Sequence, residues 1–431
     1  MLALFGFSTI AVFLLLVILR RLSVITALVL VPVLFAFLAG FGYREIGEMA
    51  LTGMKTVAPT GMLLVFAVLY FGVMLDAGLF DPVVALIIRL VQGDPLKVVV
   101  GTAVLTMIVH LDGDGTATFM IVVSAFLPIY RELRINPLVL PGIVALSVGP
   151  MHLVPWSGTS VRAMSVLKAD ATQLFNPNIP AMVAGIAWVL FVAYLFGRKE
   201  RKRLGVVSLT YRHAEMLTEE QRGLRRPGLV IFNAILTVSL ILALVMGLIP
   251  APFLFALASA IALLVNYTRN SDQQKILKSH GANIFLVSGM IFAAGVFSGI
   301  LTGSKMIEAM ASGLVGVLSH EKASLLPGLT AVCSMPASML FTPDAYYFGV
   351  VPVLGHSASQ FGIDPLEIGR ASLLGQMTVG FPVSPLTAST FLLVGLSEVD
   401  LGDHQRNIFF WAFGTTIVMT IAALVSGSIH L

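Results

Sequence analysis

Charge is scarce in this sequence: of 431 residues only 11% are Asp, Glu, Lys or Arg, against about 25% in soluble domains. With 57% of residues hydrophobic and a mean hydropathy of +0.95, a water-soluble globular chain is excluded and a polytopic membrane protein is indicated. Cysteine is nearly absent, and the single Cys333 excludes an internal disulfide framework and a cysteine metal cluster. Paired acid-rich motifs such as DDxxD are also missing, which counts against a membrane enzyme that handles lipid phosphates through metal. No basic residue precedes the apolar run at 2–16, and Arg20 and Arg21 follow it. That run therefore reads as an uncleaved first span with its N-terminus outside, not as a signal peptide.

What the sequence has in abundance is apolar runs of about 20 residues, the length that crosses a bilayer. Ten crossings are expected, at 2–18, 24–42, 62–78, 137–167, 180–196, 230–248, 253–267, 284–301, 365–396 and 409–426. Two further segments, about 98–130 and 323–355, are equally apolar but interrupted, at LDGDGT and FTPDA. Non-helical backbone at membrane depth needs protein or water around it, so each is expected to be a re-entrant hairpin whose tip lines a cavity. This layout puts nineteen lysines and arginines on one side and six on the other, with Arg162 left inside a span. The positive-inside rule then makes the first side cytoplasmic and leaves both termini outside, in a multi-pass protein of the cytoplasmic membrane. The basic stretch 198–228 reads as a cytoplasmic anchor between two halves, with no nucleic-acid partner.

The two halves resemble each other. A shift of about 228 residues pairs Asn136-Pro137-Leu138 with Asp364-Pro365-Leu366 and sets Asp114 within two residues of Asp344. Pro155-Trp156-Ser157 falls one residue off register from Pro382-Val383-Ser384. Each half has the same order: three spans, a surface helix (83–92 and 305–318), a hairpin, a broken span (137–167 and 365–396) and a last span. Five crossings per copy is an odd number, so the second copy is inverted. The fold class expected is an all-α membrane protein of two inverted repeats, 1–197 and 229–431, each with five transmembrane helices and one hairpin. Inverted repeats with paired interruptions point to a secondary transporter, not an enzyme, with its site near the bilayer midplane.

The interruptions carry the chemistry. Gly113 and Gly115 allow a sharp tip, and a helix starting near Thr116, with Thr118 beside it, aims N–H groups and a positive dipole end at a carboxylate. At the second tip Thr342-Pro343-Asp344 plays the same part, Pro343 being acceptable in a first helical turn. Pro150, Pro155 and Gly158 are expected to unwind one span, and Gly380, Pro382 and Pro385 the other. DGDGT resembles a calcium loop, but no closing glutamate follows. His110 and His152 read either as proton carriers or as hydrogen-bonded helix histidines, Trp156 either lines the pocket or packs on the hairpin, and Asp76 reads as a boundary residue. Three acids (Asp112, Asp114, Asp344) face one base (Arg162), so a bare polyanion would be repelled. An anion bound with a metal, or aspartates that titrate and couple transport to protons, meets both demands.

The stretches FGFSTIAVFLLLVILRRLSVITALVLVPVLFAFLAGFG, LYFGVMLDAGLFDPVV, GDPLKVVVGTAVLT, LDGDGTATFMI and VPWSGTSVRA resemble the citrate–divalent metal:proton symporter family, CitMHS, across essentially the whole chain. That family lies in an ion-transporter superfamily with the divalent anion:sodium symporters, whose hairpin tips read Ser-Asn-Thr-Ala-Thr. Here the tips read Asp114-Gly115-Thr116-Ala117-Thr118 and Thr342-Pro343-Asp344-Ala345-Tyr346. The Ser-Asn pairs are gone, which favours metal or proton coupling over sodium. Ser157-Gly158-Thr159 stands where the family is expected to be more glycine-rich, which bears on the carboxylate preferred.

The resemblance implies a proton-coupled importer of citrate complexed to a divalent cation, a homodimer, and an elevator motion of a transport domain against a scaffold. No permanently bound cofactor is expected, the cation being a co-substrate. Thr116, Ser157, Thr159, Thr342, Ser384 and Thr387 would hold the citrate oxygens, with Gly115, Ala117, Pro155, Trp156, Gly158, Pro343 and Pro385 shaping the pocket. Arg162 would pair with a carboxylate, while Asp112, Asp114 and Asp344 would hold the metal with citrate oxygens or carry protons. A metal-independent proton- or sodium-coupled carrier of gluconate or another carboxylate is the alternative.

Overall fold

The structure is a computed structural model that describes residues 1–19, 21–91, 93–206, 219–315 and 323–431. Arg20 and Lys322 of the charge count, residues 207–218 of the basic stretch, and the end of the second expected surface helix lie outside the described residues. Among the described residues the chain is helical throughout, with no strand. Among the described residues six helices are long and apolar enough to cross a membrane: Tyr43–Ala77, Pro95–Asp112, Ala171–Leu204, Pro227–Val245, Asn270–Gly303 and Leu401–Val425. Pro95–Asp112, expected as a hairpin arm, is therefore long enough to span by itself.

Two helices run well beyond the apolar runs that mark them. The span expected at 62–78 belongs to Tyr43–Ala77, of 35 residues, and that at 284–301 to Asn270–Gly303, of 34. At about 1.5 Å per residue each reaches about 50 Å. The polar first half of Tyr43–Ala77 still folds as helix because Glu45 Oε2 accepts from the Gly42 N–H at 2.8 Å and Ile46, Gly53, Val57 and Gly61 bury one stripe. These two helices lie antiparallel: Gly53 faces Gly295 and Gly299, Gly61 faces Phe292, and Gly72 faces His280. Their backbones nearly touch, since a Cβ on Gly53 would come within 1.9 Å of the Gly295 carbonyl oxygen, the close approach that small residues permit inside membranes. Asp76 Oδ2 meets His280 Nε2 at 2.9 Å near one end of the pair.

Tyr43–Ala77 also packs on Ala251–Asn266, and Asn270–Gly303 on Val24–Leu38. The remaining interrupted segments pack mainly among themselves and on Ile179–Leu204 and Leu401–Val425. At their centre Val139–Met151 is buried on every face. Gly158–Leu167 touches both groups, packing on Tyr43–Ala77 and Asn270–Gly303 from one side and on Pro365–Leu373 from the other.

The two broken spans differ in where they break. The first stops at Met151 and restarts at Gly158, around Pro155. The second stops at Leu373 and restarts at Ala388, so it opens before Gly380, Pro382 and Pro385. Long-range bonds take over from the helical ladder there. Tyr347 Oη donates to the Gln376 carbonyl at 3.0 Å, Thr159 Oγ1 donates to the Met377 carbonyl at 2.9 Å, and the Met377 N–H donates to Ser338 Oγ at 2.9 Å. Met377 has φ +52°, unusual for a residue with a Cβ and held by these partners.

Candidate functional site

The first tip joins Pro95–Val109 to Gly115–Glu132. His110 to Asp112 form one 3-10 turn, Gly113 takes φ +76°, and Asp114 becomes the N-cap. The Asp114 N–H donates to Asp112 Oδ1 and the Thr116 N–H to Asp114 Oδ1, each at 2.9 Å. Two N–H groups that a bound carboxylate would otherwise accept from are thus held by the tip's own acids, and what the tip presents is carboxylate. Asp114 is exposed, while Asp112, Thr116 and Ala117 are part-buried.

The second tip joins Leu326–Ala337 to a helix that begins with Pro343–Ala345 and widens into a π-helical turn over Tyr346–Val350. Here the N-cap is neutral: Thr342 Oγ1 accepts from the Ala345 N–H at 3.3 Å. Asp344 is bonded to Arg162, with Nε at 2.6 Å from Oδ1, and both side chains are largely buried, at 9% and 13% exposed. Arg162 also donates to the Gly158 carbonyl at 2.7 Å and lies 3.0 Å from Met290 Sδ. It therefore ties the first broken span to the second tip and to Asn270–Gly303.

Both tips abut one short piece of chain. A Cβ on Gly113 would meet the Trp156 ring at 3.0 Å and Ser157 Cα at 3.5 Å, whereas Asp344 meets Arg162, about one turn into the helix that begins at Gly158. Trp156 is buried and packs on the hairpin: its Nε1 donates to the Leu111 carbonyl at 2.8 Å, and its ring stacks on Phe71. Gly115 is fixed by close approach, since a Cβ there would lie 2.5 Å from the Phe381 ring.

The hydroxyls singled out in the sequence are mostly occupied. Ser157 Oγ caps Gly158–Leu167 by accepting from the Ser160 N–H at 3.2 Å. Thr159 holds Met377 as described, Ser384 Oγ donates to the Ser338 carbonyl at 2.5 Å, and Thr387 Oγ1 donates to the Phe381 carbonyl at 2.9 Å. Ser157, Thr159, Ser384 and Thr387 are buried with Gly115, Pro155, Trp156 and Asp344, while Gly158, Arg162, Thr342, Pro343 and Pro385 are part-exposed. Among the described residues no three His, Cys, Asp or Glu side chains gather as a metal-ligand set. Asp112 and Asp114 lie together, and Asp344 is held apart by Arg162, so a metal at this site needs oxygens from its own ligand.

Several participants gave no sequence signal. Gln376 is fully buried and accepts at Oε1 from Ser338 Oγ at 2.9 Å; Met290 and Phe381 read only as apolar filling. Two cavities of about 380 and 350 Å³ lie beside Gly158–Leu167. One is lined by Pro59, Thr60, Met164, Asp170 and Pro250, the other by Glu48, Gly53, Lys168, Ser298 and Gly299. Neither is lined by a tip residue.

Comparison with known proteins adds the chemistry of relatives. The family model CitMHS, citrate transporter, matches residues 11–375. A protein named citrate transporter from Bacillus subtilis (strain 168) is 51% identical over 429 residues, covering all of both chains. A second from the same organism, named Mg(2+)/citrate complex secondary transporter, is 46% identical over 433 residues, again covering all of both. Among solved structures, the Alcanivorax borkumensis YdaH transporter is similar with a TM-score of 0.60 and 14% identity, over 90% of this chain and 89% of that one. Neisseria gonorrhoeae MtrF gives 0.51 and 14%, over 90% and 84%. At such identity these two likenesses concern the fold alone.

Proposed function

This chain belongs to the CitMHS citrate transporter family, whose named members here are transporters and not enzymes, and from that premise we propose that it imports citrate as a complex with a divalent metal ion, coupled to protons. The observation that carries the reading is the 46% identity, end to end, with a relative named Mg(2+)/citrate complex secondary transporter. The first tip supports it physically. Asp112 and Asp114 present oxygen ligands of the kind that suit Mg²⁺ or Ca²⁺, while Arg162 and the helix start at Thr342 offer a carboxylate its partners. The metal is cargo, and no resident cofactor is invoked.

The proposal extends to architecture. The two halves are inverted repeats, 1–197 and 229–431, joined by a cytoplasmic linker at 198–228, with both termini outside. Their interrupted segments are re-entrant hairpins and broken helices. Together they form a transport domain that moves elevator-fashion against a scaffold built on the two long glycine-packed helices, in a homodimer. A trianion with a dication carries one net negative charge, so an inside-negative potential opposes its entry by about 2.3 kcal/mol per 100 mV. At least two protons per complex make the net charge moved inward positive.

Uptake of labelled citrate into proteoliposomes under an imposed pH gradient, with Mg²⁺, Ca²⁺ or EDTA, tests the reading. Accumulation that needs both metal and gradient is expected. Equal accumulation in every condition including EDTA sinks the metal complex and leaves a metal-independent carboxylate carrier.

A further inference from the structure

Resting on the metal–citrate reading above, we propose that Asp344 is a stand-in for a carboxylate of the cargo: an arriving carboxylate displaces it from Arg162, and the freed acid then admits only a carboxylate that brings a cation with it. The pair joins two separate elements, the helix Gly158–Leu167 and the second tip. Both side chains are largely buried.

The bonding of the pair favours exchange. A guanidinium offers a two-pronged edge, Nε–H beside Nη2–H, that matches both oxygens of a carboxylate. Asp344 uses half of it: Nε donates to Oδ1 at 2.6 Å, and Oδ2 accepts no hydrogen bond among the described residues. The other prong, Nη2, lies 3.0 Å from Met290 Sδ, a weak acceptor. Nη1 donates to the Gly158 carbonyl at 2.7 Å, which holds the fork in place. A carboxylate spanning Nε and Nη2 therefore replaces one ionic bond and one thioether contact by two ionic bonds, while Nη1 keeps its partner.

The other half of the chain shows that such a junction needs no ion pair. A shift of 228 residues carries Asp344 onto Thr116 and Arg162 onto Thr390. Thr116 follows the cap residue Asp114 by two positions, as Asp344 follows Thr342. Gly115–Glu132 packs on Ala388–Leu396, as Tyr346–Val350 packs on Gly158–Leu167. Thr390 Oγ1 donates within its own broken span, to the Phe381 carbonyl at 2.9 Å. A buried ion pair is often no more stabilising than neutral packing, so the charges of Arg162 and Asp344 point to recognition.

Selection follows from what the exchange leaves behind. Any citrate carboxylate makes the same bonds to Arg162, so those bonds do not tell a metal complex from free citrate. Asp344 does. Metal-free citrate strands it as a buried carboxylate without a partner and sets further negative charge beside it. A complex that carries a divalent cation offsets the freed carboxylate by Coulomb attraction. Asp344 is thus a specificity-determining residue, which makes the metal a condition for access to Arg162.

The test measures binding of labelled citrate to purified full-length protein at one fixed pH, with Mg²⁺ in excess or with EDTA. The wild type is expected to prefer Mg²⁺–citrate over metal-free citrate by about a hundredfold. In Asp344→Asn the amide oxygen still accepts from Arg162 Nε–H, and its displacement strands no charge. The preference is expected to fall to about tenfold or less, through tighter binding of metal-free citrate. Asp344→Ser, neutral and shorter, should act in the same direction. An unchanged preference in both variants overturns the proposal, and so does loss of folding in both, which makes the pair structural. Asp114→Asn removes the same charge from the first tip; if it tightens metal-free citrate as much as Asp344→Asn does, general repulsion accounts for the preference and the exchange is refuted. If the wild type binds citrate equally with Mg²⁺ and with EDTA, the metal-complex function fails first, and that outcome is read separately.

Discussion

At the first tip two carboxylates turn onto the tip's own N–H groups; at the second a neutral hydroxyl caps the helix and the one carboxylate is bonded to Arg162. Both tips solve the same backbone problem, a helix start whose N–H groups lack partners. Thr342 demonstrates that the solution requires no charge. The negative charge of Asp112 and Asp114 is therefore surplus to capping; the function proposed above gives it to a cation, and gives the carboxylate to the second tip, whose own acid is bonded to Arg162. On this reading metal and carboxylate ends of one cargo meet different tips.

The sharpest break in that comparison is Arg162→Met. It leaves Asp344 buried without its partner, and breaking a buried pair from one side costs about 3–5 kcal/mol, so a large fall in thermal stability in detergent and no citrate uptake are expected. The double variant Arg162→Met/Asp344→Asn removes both charges and is expected to recover stability but not uptake. Recovery of uptake as well would remove Arg162 from the carboxylate side.

Asp114→Asn should act next most strongly. The amide oxygen can still cap Thr116, so folding is expected to persist, while loss of a charged metal ligand lowers Mg²⁺–citrate uptake by about tenfold, which corresponds to about 1.4 kcal/mol. The order of preference among Mg²⁺, Ca²⁺ and Mn²⁺ should shift in this variant. An unaltered metal profile would show that the first tip does not touch the metal.

Gly115→Ala probes the tip's position with no change of charge. Its Cβ must push the Phe381 ring, 2.5 Å away, and overpacking of this kind costs about 1–3 kcal/mol. Lower stability and uptake are expected, with partial recovery in Gly115→Ala/Phe381→Leu, where the ring is gone. If the single variant melts and transports like wild type, the tip is not fixed by Phe381.

The elements legible in the sequence are those that break a local rule. Aspartates beside glycines marked the first tip and an aspartate beside a proline the second, each inside an apolar run, and the 228-residue shift aligned Asn136 with Asp364, each of which accepts from the N–H two residues on at 3.0 Å. What stayed hidden depends on distant partners. The helix Tyr43–Ala77 continues through a polar stretch because its buried glycines meet a helix more than 200 residues away, and hydropathy does not see that contact. The second break opens at Leu374 because Thr159, Tyr347 and Ser338 bind its backbone, and neither Gln376 nor Met377 carries a turn signature. Likewise nothing local to Arg162 or Asp344 pairs them.

The smallest expected effect is the most direct test of the two tips as variants of one design. Thr342→Ala removes a single neutral cap from the second tip, and cap losses cost about 0.5–2 kcal/mol. The 3.3 Å bond to Ala345 is long, so the low end is expected, a lowering of melting temperature with the metal profile intact. Thr342→Asp restores the cap and gives the second tip the charge of the first. Stability should then return, while citrate affinity falls, because an extra carboxylate beside Arg162 competes for it and repels the cargo. If Thr342→Asp binds citrate as well as wild type, the second tip is not where a carboxylate sits, and the division of labour between the tips fails.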